Sequence, residues 1–167
     1  MRGDCISATA NSDKMTVIDN LSIKYVGTGG IGAGESHNLL IQNCEFGWIG
    51  GSLQEGGGND TTRCGNGIQN WGECNNYTVR NCYLYQCYDD CLTSQLVNSG
   101  SEGVLMTDIT FEGNVMTHAT AAFELWSWNG KAGDIPYMIA SQTNVIQNST
   151  LRDNYMLYMG YGFGHQR

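Results

Sequence analysis

Ile41-Gln42-Asn43-Cys44-Glu45-Phe46 decides the fold, because nearly the same phrase returns at Val79-Arg80-Asn81-Cys82-Tyr83-Leu84. Ile18-Asp19-Asn20-Leu21-Ser22-Ile23 precedes both and Leu151-Arg152-Asp153-Asn154-Tyr155-Met156 follows, with a degenerate copy at Phe111-Glu112-Gly113-Asn114-Val115-Met116. Apolar and polar residues alternate within each phrase, which is the period of a half-buried strand, and helical periodicity is scarce. The copies stand about 23 to 40 residues apart, so each turn must hold several short strands and loops of unequal length. Fixed phrases with variable inserts mark a solenoid whose rungs are alike and whose loops are not. The chain therefore reads as all-β, a right-handed parallel β-helix.

The 167 residues make one domain, 1–167, large enough to bury a core. Gly 23 against Pro 1 suits a chain that turns sharply many times and keeps its ladder donors. Charged residues are only 14%, and the net charge is −8 with eight scattered Lys and Arg. Such a surface repels phosphate backbones, which argues against nucleic acid as a partner. No apolar run is long enough to cross a bilayer, and Met1-Arg2-Gly3-Asp4 opens no secretory signal. Neither end shows a capping helix or a polar terminal repeat, so the expectation is a partial β-helix, uncapped at both ends and prone to self-association.

Cys44 and Cys82 occupy one slot of the repeated phrase, and Asn114 and Asn154 fill it in later copies. A recurring slot implies a stacking position, with thiol and amide chosen for size. The cysteine and histidine spacings offer no zinc site, so no metal is expected. Cys87 and Cys91 are the pair for a bridge in an oxidising compartment. Arg80, Glu112 and Arg152 fall in another column of the phrase and read as an exposed charge ladder. Gly27-Thr28-Gly29-Gly30-Ile31-Gly32 matches a dinucleotide fingerprint in letters only, since no helix follows it; it reads as a turn.

A second ladder runs through Gly67-Ile68-Gln69-Asn70-Trp71, Cys91-Leu92-Thr93-Ser94-Gln95, Ala122-Phe123-Glu124-Leu125-Trp126 and Gly162-Phe163-Gly164-His165-Gln166. Strand alternation sends Ile68, Leu92, Phe123 and Phe163 inward as one stack. It sends Gln69, Thr93 and Glu124 outward, with Trp71, Gln95 and Trp126 beside them, as a groove floor rising about 4.8 Å per rung. Glu124 is an acid in mid-strand, and Tyr88-Asp89-Asp90 precedes the Leu92 strand one rung earlier. Two carboxylates across a groove are the minimum equipment of a glycosidase, and one rung plus the turn offset gives about 5 to 10 Å. The candidate catalytic pair is Asp89 and Glu124. Candidate substrate contacts are Asp90, Gln69, Trp71, Trp126, His165 and Arg167. Tryptophans, Trp48 and Trp128 among them, offer flat apolar faces to sugar C–H groups.

Glu45-Phe46-Gly47-Trp48-Ile49-Gly50-Gly51, Gly65-Asn66-Gly67-Ile68-Gln69-Asn70-Trp71-Gly72, Tyr77-Thr78-Val79-Arg80-Asn81, Tyr88-Asp89-Asp90-Cys91-Leu92-Thr93-Ser94-Gln95 and Gly160-Tyr161-Gly162-Phe163-Gly164 resemble bacterial right-handed parallel β-helix repeat proteins of the pectate-lyase-like superfamily. The resemblance implies secreted carbohydrate-active enzymes, chiefly glycoside hydrolases, with lyases and epimerases among the relatives. It implies a polysaccharide or oligosaccharide substrate, an extracellular or periplasmic site of action, and no cofactor, with calcium expected only of a lyase. The family pattern Tyr-Asp-small-Gly falls on Tyr88-Asp89-Asp90-Cys91, which favours Asp89 over Asp90 and departs at Cys91. Gln69 stands where an acid is expected. Two rival readings follow: a polysaccharide lyase or epimerase, and a non-catalytic glycan-binding or structural fragment.

Overall fold

The computed structural model describes residues 4–52, 63–98, 105–129 and 145–163. These residues form strands and turns without a helix. Every strand pair is parallel, and three sheets wind together. Sheet A orders β1 (Ile6–Ser7), β4 (Ile31–Gly32), β7 (Ile68–Trp71), β10 (Asp90–Asn98) and β13 (Ala121–Asn129). Sheet B orders β2 (Asn11–Asp19), β5 (His37–Gln42), β8 (Cys74–Arg80) and β11 (Leu105–Glu112), the last paired with both β14 (Val145–Gln147) and β15 (Thr150–Arg152). Sheet C orders β3 (Ser22–Val26), β6 (Glu45–Ile49), β9 (Tyr83–Cys87), β12 (Val115–Thr117) and β16 (Tyr155–Leu157). The chain visits the three sheets in turn, so each repeated phrase is the corner from sheet B to sheet C.

The alternation of each phrase is what fills the interior. Ile18, Ile41, Val79, Phe111 and Leu151 share one register position, and Ile41, Val79 and Phe111 are fully buried. Ile23, Phe46, Leu84 and Met116 form the matching stack on sheet C, each 5% exposed or less. On sheet A, Ile31, Ile68, Leu92 and Phe123 are in register. The Phe123 ring lies parallel to that of Phe111, 5.8 Å away, and closes the core between sheets. Burying each such side chain stabilises by about 1.5–3 kcal/mol, so these stacks are the main driving force.

Phe163 does not join that stack. It is 42% exposed, and its ring rests on Trp48 and Tyr88, each 5.6 Å away. A turn closed by the Tyr161 N–H on the Tyr158 carbonyl takes the chain off the ladder. Gly162 then passes so close to the His118 carbonyl that a Cβ there would stand 2.6 Å from it. The Phe163 N–H donates to Gln86 Oε1 at 3.2 Å, which holds this segment across the outside of the coil.

The slot shared by Cys44, Cys82, Asn114 and Asn154 is a column. Asn114 Oδ1 accepts from the Cys82 N–H at 3.0 Å, and Asn154 Oδ1 accepts from the Asn114 N–H at 3.0 Å. Where the slot holds cysteine, the thiol donates to a carbonyl instead, Cys44 to Gln42 at 3.0 Å and Cys82 to Arg80 at 3.3 Å. Burial pushes the Cys82 thiol up to about 12. Cys87 and Cys91 are both buried and both free thiols. Among the described residues no group of His, Cys, Asp and Glu could hold a metal ion.

The charge column is shared out unevenly. Arg152 pairs with Glu112, whereas Arg80 donates to Gln42 Oε1 at 2.9 and 2.7 Å. Gln42 and Asn43 in turn donate to Asp19, and these amides hold its carboxyl below the usual range.

Left-handed backbone recurs at fixed places. Before the stacking slot it falls on Asn20, Asn43, Asn81, Gly113 and Asp153, with φ between 53° and 63°. Inside sheet B it falls on Asn38, Asn76, Asp108 and Asn148, with φ between 51° and 57°. These are the residue types that tolerate this conformation. A third column, where sheet C turns toward sheet A, holds Tyr25, Trp48, Gln86, His118 and Tyr158, with φ between 53° and 60°.

Candidate functional site

The outward face of sheet A carries the side chains that alternation predicts. Gln69, Thr93 and Glu124 are in register on successive rungs, and so are Trp71, Gln95 and Trp126. Glu124 Oε2 accepts from Thr93 Oγ1 at 3.2 Å and from Gln95 Nε2 at 2.8 Å. Both donors come from the rung below, so the carboxylate is drawn along the solenoid axis and its orientation is fixed. Thr93 is only 1% exposed, shut in beneath this contact. Trp71 is 39% exposed at the edge of the floor. The backbone of Trp126 lies in β13, while its side chain, and all of His165 and Arg167, fall outside the described residues.

One rung below Gln95 in strand order, the floor begins with Asn66. Its Nδ2 donates to Gln69 Oε1 at 2.8 Å, and its Oδ1 accepts from the Asp90 N–H at 3.1 Å. Asn66 thus ties the Gln69 rung to the Asp90 rung and was not singled out by the sequence reading. Its signal was present: Asn66 lies two positions before the inward Ile68, as Asp90 lies two before the inward Leu92.

Asp89 and Asp90 differ in burial. Asp90 is 3% exposed and pairs with Ala121, three positions before Glu124 on the next rung. Asp89 is half-buried; its N–H donates to the Gly65 carbonyl and its carbonyl accepts from Thr120 N–H, at 3.1 and 2.9 Å. With a rise of about 3.3 Å per residue and about 4.8 Å per rung, a straight strand separates the Cα atoms of Asp89 and Glu124 by about 14 Å. The corresponding figure for Asp90 is about 11 Å.

No strand of sheet A contains a lysine or arginine. The floor is therefore built from amides, a hydroxyl, carboxylates and tryptophan: hydrogen-bonding groups that match sugar hydroxyls, with a flat ring beside them. The glycine-rich Gly27–Gly32 segment is no phosphate cradle. The Asp4 carboxylate lies on it, so close that a Cβ at Gly29 or Gly32 would stand about 2 Å from its oxygens. Burial there pushes the Asp4 carboxyl above its ordinary value.

The aromatic column at the turn from sheet C was also missed, apart from Trp48. Each of its members stands two positions after the last residue of a repeated phrase, so lining up the phrases would have found it.

No curated protein and no solved structure matches the chain. A family model described as a right handed beta helix region does match, over residues 4–166. Together with three parallel sheets wound about one core, that match means that the chain belongs to the right-handed β-helix family.

Proposed function

We propose that this β-helix is a glycoside hydrolase that binds a polysaccharide along the outer face of sheet A and cleaves it with Glu124 and Asp89. The observation that carries the reading is Glu124 itself. It is an acid in mid-strand, half-buried, and oriented by Thr93 and Gln95 within a floor of neutral hydrogen-bonding groups. Of the two aspartates at the start of the groove, Asp89 is the more exposed and so the better able to meet a substrate. Gln69 then lines the floor with Trp71 at its edge, and Asp90, 3% exposed, lies beneath its start; Trp126, His165 and Arg167 are candidate contacts from their order in the sequence alone.

One carboxyl protonates the leaving oxygen and the other activates water, so the reaction needs no cofactor. One rung plus four strand positions is a wide spacing. It suits the inverting geometry, in which water enters between the carboxyls, better than the short contact of a retaining pair. A lyase or epimerase calls for a basic residue beside the cleaved sugar, and the strands of sheet A carry none. Secretion to the medium or periplasm follows from the substrate, since polysaccharides of that size do not enter cells.

The test is release of reducing ends from arabinoxylan, galactomannan, mixed-linkage glucan and polygalacturonate. Glu124→Gln and Asp89→Asn should each lower the rate about 100-fold or more. Full activity in both variants would make these acids structural. An unsaturated product would replace hydrolysis with elimination, and wild-type inactivity on the whole panel would leave a binding module.

A further inference from the structure

The turn from sheet C to sheet A is filled with the wrong residues for its backbone. Left-handed φ is most readily adopted by glycine, asparagine and aspartate, and the other two left-handed columns of this molecule hold nothing else. The third holds Tyr25, Trp48, Gln86, His118 and Tyr158 at the same φ. Folding alone disfavours them, and strain kept in one column over five coils is a sign of function.

The five are one file. Lys24 pairs with Gly47 and Val26 with Ile49, which sets Tyr25 beside Trp48; the pairs on either side of Gln86, and the pair Thr117–Leu157, continue the file to His118 and Tyr158. At about 4.8 Å per rung the file is about 19 Å long. Tyr25 is 79% exposed and Tyr158 64%; Trp48 is 41% exposed with the Phe163 ring, itself 42% exposed, against it at 5.6 Å, and the Phe163 N–H on Gln86 seats that ring in the middle of the file. His118 and Tyr158 meet at 5.0 Å with their planes tilted by 34°, and beside the file Tyr83 and Tyr85 stack at 4.9 Å. A repeating row of flat, partly apolar rings tipped with hydroxyl and N–H groups is what a sugar chain offers its C–H faces to.

Charge selects among polymers. The strands of sheet C carry only Lys24 and Glu45, and these neutralise each other at 2.8 Å. On a chain of net charge −8 this face is thus a neutral strip. A polyanion, nucleic acid included, finds no unpaired cation on those strands and a repulsive molecule around them.

We propose that the Tyr25–Trp48–Gln86–His118–Tyr158 file is a binding strip for an uncharged polysaccharide, distinct from the groove of Glu124 and parallel to the solenoid axis. It shares with the hydrolase reading only the class of ligand. The strip holds the polymer by ring stacking while the groove of sheet A acts on it, and binding at the strip needs no catalytic carboxylate.

Affinity electrophoresis in native gels containing hydroxyethylcellulose, arabinoxylan or galactomannan, with polygalacturonate as the charged control, tests this. Wild-type protein should be retarded by at least one neutral polymer and not by polygalacturonate. In Tyr25→Gly/Trp48→Gly the rings are removed and the backbone is given the residue it prefers. Apparent affinity should fall at least tenfold while the protein stays folded, the relief of backbone strain offsetting the lost Trp48–Phe163 contact. Glu124→Gln should keep full retardation even where hydrolysis is lost, so the strip and the groove fail independently. Should the double variant unfold, Tyr25→Asn, which removes only the most exposed ring, carries the same test with a smaller loss. The proposal is overturned if no neutral polymer retards the wild type, or if the ringless variants are retarded as strongly as the wild type. It is also overturned if they change only a monomer–dimer equilibrium in sedimentation, which would make the face a contact between copies.

Discussion

Replacing Asn114 by alanine tests whether the amide column holds the coils together. Asn114 is fully buried; its Oδ1 accepts from the Cys82 N–H at 3.0 Å, and its Nδ2 donates to the Val79 carbonyl at 3.1 Å and to Asn154 Oδ1 at 3.0 Å. Truncation removes two side-chain hydrogen bonds worth about 1 kcal/mol each and strands the Cys82 N–H inside the core, at about 1–3 kcal/mol. The sum is about 3–5 kcal/mol, a large part of the roughly 5–15 kcal/mol that keeps a domain folded. With a urea dependence of about 2 kcal/mol per molar, the midpoint of unfolding should drop by about 2 M. Asn154→Ala is the internal control. Asn154 is only half-buried, so water replaces part of what is lost and the cost should be about 1–2 kcal/mol. Asn114→Cys should fall between wild type and Asn114→Ala, because a thiol can donate to a carbonyl, as Cys82 does, but accepts poorly from an N–H. A loss below about 1 kcal/mol for Asn114→Ala would refute the reasoning, since it would mean that the Cys82 N–H finds another partner at no cost.

Three further outcomes are expected. Gly50→Ala should destabilise by about 2–4 kcal/mol in the same urea assay, because φ is +97° and the new Cβ would stand 2.6 Å from Gly65 Cα and 2.8 Å from the Cys64 carbonyl; wild-type stability would show that this corner can open. Iodoacetamide at neutral pH should label Cys5 and Cys64 in the native protein and the five buried thiols only after unfolding, with early labelling of Cys82 in peptide mass spectra counting against its packed slot. The Lys24 ammonium holds the Glu45 carboxyl below 4.5, and Glu45 holds Lys24 above 10.5. The pair should therefore stabilise between the two limits, with the acid loss falling below 4.5 as Glu45 protonates and the alkaline loss above 10.5 as Lys24 deprotonates; Glu45→Gln should flatten both limbs of a melting-temperature profile against pH.

The sequence by itself determined the coil. Alternation within Ile41–Phe46 and its copies, the recurring slot of Cys82 and Asn114, and the equivalence of Ile68, Leu92 and Phe123 are all statements about period and offset. In a parallel solenoid, period and offset become register directly, since equivalent residues stack one rung apart. The same logic put Gln69, Thr93 and Glu124 on one face. It failed at Phe163, where the offset was right but a turn through Gly160–Gly162 carried the ring outside the coil. Tertiary structure decided what period cannot encode: which neighbour each polar group chooses, and which positions bend. Arg80 turns to Gln42 and leaves Glu112 to Arg152, Gln95 reaches across a rung to Glu124, and Asn66 ties two rungs of the groove. Tyr25 and Trp48 look like ordinary strand residues in the sequence, and only their φ of 60° and 56° marks them as strained. Hydrogen-bond choice and backbone strain depend on atoms from different coils meeting at about 3 Å, and such meetings exist only once the coils have stacked.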